Sequence, residues 1–169
     1  MDVLEAIYQR RSIRKYKNQP VPEELVREIL AAAMMAPSAG NAQPWQFIVI
    51  TERETLARVK DFNPHAGMAA EAPLAIMICG DLNLEKFPGF WVQDCAAATQ
   101  NLLLAAQARG LGTVWTGIYP MEDRVASFSR HFGLPPRVIP MALVVMGWPA
   151  QKIKGEDRFK VERIHTETW

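Results

Sequence analysis

Apolar and polar positions along this chain fall into two rhythms. Leu4, Ile7 and Tyr8 share one helical face behind Asp2 and Glu5, which stand at capping-box spacing. Gln19-Pro20-Val21-Pro22 breaks that helix from a second one. Pro22 suits its first turn, Glu23 and Glu24 its positive end, and Leu25, Ile29, Leu30, Ala33 and Met34 its buried side; Pro37 stops it. Residues 52–60 form a further amphipathic stretch with Leu56 and Val59 inward. Residues 90–109 give the longest helix, rich in Ala and Leu and closed by Gly110. Residues 121–132 give another, stopped by Gly133 and Pro135-Pro136. Between them lie short continuous apolar runs at 47–50, 73–79, 111–116 and 139–146. These read as strands buried on both faces. Taken alone, this alternation suggests a parallel α/β sheet.

The last twenty residues break the pattern. Lys, Arg, Glu and Thr dominate, with Ile153, Phe159, Val161, Ile164 and Trp169 isolated among them. Such a segment is too polar to form its own core. It either hangs loose or wraps against another surface, and a partner subunit is the economical choice.

Composition narrows the class. Apolar residues make up 49% and charged residues 22% of 169, ordinary for one globular domain with a real core. No apolar run approaches the ~20 residues that span a bilayer, and the acidic opening Met1-Asp2-Val3-Leu4-Glu5 does not resemble a secretory leader. Cys79 and Cys95 sit in apolar segments and read as core thiols of a reducing compartment. A cytoplasmic, non-membrane protein is the expectation.

Charge is where the chain becomes specific. The formal net charge is only +1, yet Arg10, Arg11, Arg14, Lys15 and Lys17 crowd into eight residues without an acid. The rest of the chain holds 14 basic against 18 acidic residues. A cationic corner with Ser12 inside it suits an anion, phosphate in particular, although a solvated charged turn is the plainer reading. The absence of a broad basic face argues against a nucleic-acid protein. Reactive side chains are scarce. His65, His131 and His165 show no metal-ligand spacing, and no metal site is expected. There is no Gly-x-Ser-x-Gly elbow and no P-loop. Gly110-Leu111-Gly112 fails as a dinucleotide fingerprint because Trp115 stands where a third glycine belongs. An enzyme built this way needs an organic cofactor to carry its chemistry, and no catalytic side chain is assigned.

Three signatures fall in order: Arg10-Arg11-Ser12-Ile13-Arg14-Lys15-Tyr16; the loop Pro37-Ser38-Ala39-Gly40-Asn41-Ala42-Gln43-Pro44-Trp45 entering a strand; and the Ala-rich helix from Asp94 past Asn101 and Leu104 into Gly110-Leu111-Gly112-Thr113-Val114-Trp115-Thr116-Gly117. Together they resemble the nitroreductase family of FMN-dependent oxidoreductases, in its compact branch, across essentially the whole chain. The resemblance implies an α+β fold whose mixed central sheet is flanked by helices. It implies a single domain over 1–169, with 150–169 an arm that packs on, and is exchanged with, the partner of a homodimer. Two FMN sites would lie in the interface. Arg10, Arg11 and Ser12 match positions that hold the phosphate and ribityl chain, and Arg14 one at the pyrimidine edge. Pro37, Ser38, Ala39 and Asn41 match the loop laid against the flavin by the partner chain, and Gln43 lies in that motif. Thr116 and Gly117 match backbone near N5, and Arg158 a basic residue that returns to the phosphate. Relatives often carry a lysine two places before that arginine; here it is Glu156, with Lys154 or Lys160 as substitutes. The loop 81–89 is short where larger relatives insert a helical lid, which implies an open pocket with Phe87, Phe90 and Trp91 as candidate walls. Trp115 lines either flavin or core, and the core is preferred.

The activity implied is ping-pong two-electron transfer from NADH or NADPH to nitroaromatics, quinones or similar conjugated acceptors. The alternatives are a specialised branch (reductive dehalogenation, flavin breakdown or heterocycle dehydrogenation) and a non-catalytic polyanion binder.

Overall fold

In the computed structural model, which describes residues 1–169, helix α1 (Val3–Gln9) opens the chain. Asp2 Oδ1 accepts Glu5 N–H at 2.9 Å, satisfying one free donor of its first turn. Helices α2 (Glu23–Met34), α3 (Arg53–Phe62), α4 (Trp91–Ala108) and α5 (Glu122–Phe132) alternate with strands β1 (Trp45–Ile50), β2 (Leu74–Asp81), β3 (Gly112–Gly117) and β4 (Val138–Gly147). Short 3-10 segments cover Ala39–Asn41, Pro64–Glu71 and Val161–Arg163.

The sheet runs β1-β2-β4-β3, and every neighbouring pair is antiparallel. The parallel sheet suggested by alternation alone is therefore absent. Helices intervene between strands, but alternation is blind to strand direction. The mixed character expected of the sheet reduces to one parallel bridge, Ser12 to Thr113, on the outer edge of β3. Helices cover both faces. One core joins α2 and α4 to Ile76, Ile78, Val144 and Met146. The other joins α3, α5 and the Pro64–Glu71 segment to Ala75, Met77, Leu143 and Val145. Adjacent residues of β2 and β4 thus feed opposite cores, the period-two logic of a pleated strand buried on both sides.

Three expectations change. β1 is an edge strand, paired only with β2, and Val49 is 42% exposed; a continuous apolar run does not distinguish a central strand from an edge. On α2 it is Val26, with Ile29 and Ala33, that is buried, while Met34 lies exposed at the helix end. On α1 the periodic face of Leu4, Ile7 and Tyr8 points outward, Tyr8 being 73% exposed, and only Ala6 is buried. The Pro64–Glu71 segment has no apolar period and was not expected, although Asn63-Pro64 is a cap followed by a first-turn proline.

β4 leads into the C-terminal arm. Its root is fastened back to the cationic segment: Tyr16 bridges Pro149, Lys17 N–H donates to Trp148 O at 2.8 Å, and Ala150 N–H donates to Lys15 O at 2.9 Å. Beyond it Phe159, Val161, Ile164 and Trp169 are exposed.

Candidate functional site

Residues 10–14 leave α1 as an extended strip along the open edge of β3. Ile13 N–H donates to Thr113 O at 2.8 Å. Ile13 is buried against Gly112, where a Cβ would come within 2.7 Å of its side chain. Only a glycine lets the strip approach this closely. Successive residues of an extended strip alternate sides. With Ile13 inward, Arg11 takes the inner side as well, and Arg10, Ser12 and Arg14 take the other. Tyr16 closes the strip, its buried hydroxyl donating toward Ile13 O at 2.6 Å and lying 3.2 Å from Val145 O. Burial raises its pKa, against the opposing pull of Arg14.

No carboxylate lies within ion-pair distance of Arg10, Arg11 or Arg14. Arg10 is half-buried, and its pKa is lowered first by desolvation, then by the charges of Arg11 and Arg158. Arg158 thus comes from the far end of the chain to the same corner. Its own ion pair, with Glu156 at 3.3 Å, is solvent-exposed and weak. Mutually repelling cations, with Arg10 partly desolvated and no carboxylate beside Arg10 or Arg11, are what a phosphate dianion would stabilise.

The second signature is built differently. Pro37 and Asn41 are exposed, Ser38 and Ala39 half-buried. Buried Asp94, in the first turn of α4, accepts Ala39 N–H at 2.9 Å. Ser38 Oγ accepts Gln43 N–H at 3.0 Å, and Gln43 Nε2 donates to Asn41 Oδ1 at 2.7 Å. Gly40, Asn41 and Gln43 all have positive φ, so the turn is tight and small side chains serve it. Lys86 Nζ donates to Gly40 O at 2.7 Å, and a Cβ at Gly40 would meet the Phe87 ring at 2.9 Å. No hydrogen bond joins this loop to the Arg10–Arg14 strip within the chain.

The third signature ends at Thr116 and Gly117. Thr116 is buried, its Oγ1 donates to Leu143 O at 2.9 Å and its backbone faces β4, so of the two residues matched to the flavin only Gly117 presents its backbone to the open edge. Gly117 has open space where a side chain would stand. Its carbonyl accepts from Asn63 Nδ2 at 3.1 Å and Arg124 Nη1 at 2.9 Å, on the edge turned away from β4, and its N–H shares that edge. Asn63, Arg124 and Lys86 were not foreseen; each acts by gripping a backbone carbonyl, which leaves little trace in sequence. Two tryptophans change roles. Trp91 is 5% exposed and packs under Gly80, so it is core and not a pocket wall; Trp115 is 37% exposed on the edge strand and not core. Phe87 and Phe90 stand exposed, edge to face, with centroids 6.2 Å apart. A cavity of about 790 Å³ lies away from all these residues, between α2 and the outer edge of β1.

This sheet, its cationic strip and its loop define the class. The model of the nitroreductase family matches residues 7–68 and 63–148, and the chain belongs to that family. A protein of Methanothermobacter thermautotrophicus, named as a candidate NADH dehydrogenase/NAD(P)H nitroreductase, is 53% identical over 169 residues, covering 100% of this chain and 88% of that protein. A crystal structure from Parabacteroides distasonis, under the same name, superposes with a TM-score of 0.95 at 40% identity, covering 99% and 98% of the two chains. A candidate nitroreductase from Desulfovibrio desulfuricans, solved in complex with FMN, superposes with a TM-score of 0.88 at 34% identity, covering 100% and 98%.

Proposed function

We propose that this protein is an FMN-dependent oxidoreductase that takes hydride from NADH or NADPH and passes two electrons to a flat conjugated acceptor, a nitroaromatic or quinone, in a second half-reaction. The observation that carries the reading is the cationic corner beside the open edge of β3, where Arg10 and Arg11 have no carboxylate partner and Arg158, held only by an exposed pair with Glu156, adds its charge. Arg10 and Arg158 would neutralise the phosphate and Ser12 would donate to it or to the ribityl chain. Arg14 would stand at the pyrimidine edge, where a fixed cation favours the electron-rich form. Gly117 would offer a backbone N–H without steric bulk. The chemistry that the flavin supplies when bound is reversible two-electron uptake. The side chains bind and orient, and none is asked to act as acid or base.

The remaining half of the site would come from a second copy. Pro37, Ser38, Ala39, Asn41 and Gln43 form a rigid, small-residue loop able to lie against a flat ring, and Phe87 and Phe90 ride on it as an aromatic lip for the acceptor. A homodimer also accounts for surfaces that one chain leaves bare. Val3, Leu4, Ile7 and Tyr8 on α1 and Met34 and Met35 at the end of α2 are exposed apolar side chains, and Val3 and Met35 border one shallow cavity. The outer edge of β1 is unpaired, and the groove beside it would receive the partner's residues 159–169. No helix is long and apolar enough to cross a membrane, and the two free thiols suit a reducing compartment such as cytoplasm.

Purified protein should be yellow, release FMN on denaturation and bleach under anaerobic NADH or NADPH. A colourless preparation that takes up no added FMN overturns the reading. So does a flavin that neither nicotinamide reduces.

A further inference from the structure

We infer that Arg11 is not a phosphate ligand but the clasp that fastens the C-terminal arm to the end of α1, and so delivers Arg158 to the side of Arg10. This rests on the proposed phosphate site at Arg10 and assigns Arg11 a different task within it.

The geometry starts from the alternation of the strip. Arg11 shares a side with buried Ile13, away from Arg10, Ser12 and Arg14. Its Nη1 donates to Tyr8 O at 2.9 Å and to Arg10 O at 2.6 Å. Carbonyls at a helix C-terminus lack intrahelical partners, and α1 has no other cation in its last turn. Arg11 therefore caps α1. Its Nε is buried without a partner, which places that part of the side chain out of reach of solvent.

The arm supplies the cover. Its root is bonded to the strip as far as Ala150, and it then runs back in the direction of α1. Between the two lies a cavity of about 450 Å³ bordered by Arg11, Gln107, Lys152 and Ile153. At Gly155 arm and guanidinium touch. A Cβ there would lie 2.5 Å from Arg11 Nη2 and 3.4 Å from its Cζ. Glycine at 155 leaves backbone resting on the guanidinium, and a side chain there would have to push Arg11 aside. Three residues on, Arg158 is close enough for its charge to depress the pKa of Arg10. No hydrogen bond joins residues 151–158 to the rest of the fold. The Gly155–Arg11 contact is thus the fixed point between the root and Arg158.

A clasp and a ligand differ in coupling. Arg11→Ala, Arg158→Ala and the double variant are to be compared for FMN dissociation by flavin fluorescence, and for tryptic cleavage after Lys152 and Lys154 in the protein as purified. As a clasp, Arg11→Ala speeds cleavage of the arm several-fold and weakens FMN about as much as Arg158→Ala. The double variant then binds no worse than Arg158→Ala alone, because both changes remove one contribution. Gly155→Val, which keeps Arg11, reproduces the faster cleavage and the weaker binding, and carries the test should Arg11→Ala fail to fold. Losses that multiply in the double variant, or cleavage unchanged in both Arg11→Ala and Gly155→Val, overturn the clasp. The proposed phosphate site fails separately: Arg10→Ala would then keep wild-type FMN affinity, while the cleavage readout still judges the clasp.

Discussion

The two halves of the candidate site are built on opposite electrostatic plans. The strip Arg10–Arg14 holds its charges open: no carboxylate answers them, and the pKa of Arg10 is lowered first by burial and then by the charges of Arg11 and Arg158. The loop from Pro37 to Gln43 is closed on itself. Asp94 holds Ala39, Ser38 and Asn41 hold Gln43, and Lys86 holds Gly40. On the proposed reading the first is a receptor for an anion. The second is a finished surface that can only be presented to something. A receptor without a wall and a wall without a receptor, on one chain, make sense as parts of a site shared between two copies.

Breaking the open half should have the largest effect. Arg10→Ala removes a charge-assisted contact worth about 1.5–3 kcal/mol, roughly a ten- to hundredfold weaker FMN dissociation constant, with little change in the melting temperature of flavin-free protein. Breaking the closed half should show the reverse. Asp94→Ala leaves Ala39 N–H without its acceptor and costs about 1–3 kcal/mol of stability, read as a lower denaturant midpoint. If Asp94→Ala lowers flavin affinity without lowering stability, the loop is not the self-supporting wall described.

The buried thiols add a test by pH. Burial pushes the thiols of Cys79 and Cys95 up to about 12 from 9.0, and the charge of Asp94 adds to the shift at Cys95. Raised folded values mean that the stability they contribute is complete below pH 9 and lost as pH rises toward 12. Each thiol removes at most about 1.4 kcal/mol per pH unit over that window. The free energy of unfolding should fall between pH 9 and 11 accordingly, and in a Cys95→Ala variant it should fall less steeply. The smallest expected effect belongs to exposed Arg14. Arg14→Gln should lower the flavin midpoint potential by no more than about 30 mV, a tenfold change for a two-electron couple, with occupancy retained.

Much of this was legible in the residues. Element positions followed from periodicity, and the strip announced itself as charge concentrated on a nearly neutral chain. The loop showed itself through small residues around Gly40. What escaped has a physical pattern. Strand direction leaves no mark in a run such as 73–79, so the antiparallel sheet was not readable from alternation. Edge and centre were confused at β1 because Phe47 and Ile48 look the same in either place. Tyr8, Leu4 and Ile7 keep a helical period whether they face a core or a partner, so the shared face of α1 did not say that it lies exposed. Asn63, Arg124 and Lys86 act on backbone carbonyls far along the chain, and a contact to a carbonyl carries no residue code. Arg11 and Arg10 are adjacent and identical in type; only the pairing of Ile13 with Thr113 separates their sides.

Mixed dimers test the shared site most directly. Arg10→Ala damages the receptor of its own chain, and Ser38→Trp fills the wall presented to the other. Each homodimer alone should hold little flavin. After subunit exchange the mixed dimer contains one site with an intact receptor facing an intact wall, and flavin should return to one per dimer. If mixing restores nothing while the exchanged dimer is demonstrably present, strip and loop do not serve the same flavin across the interface, and the account of a site built from two chains is contradicted.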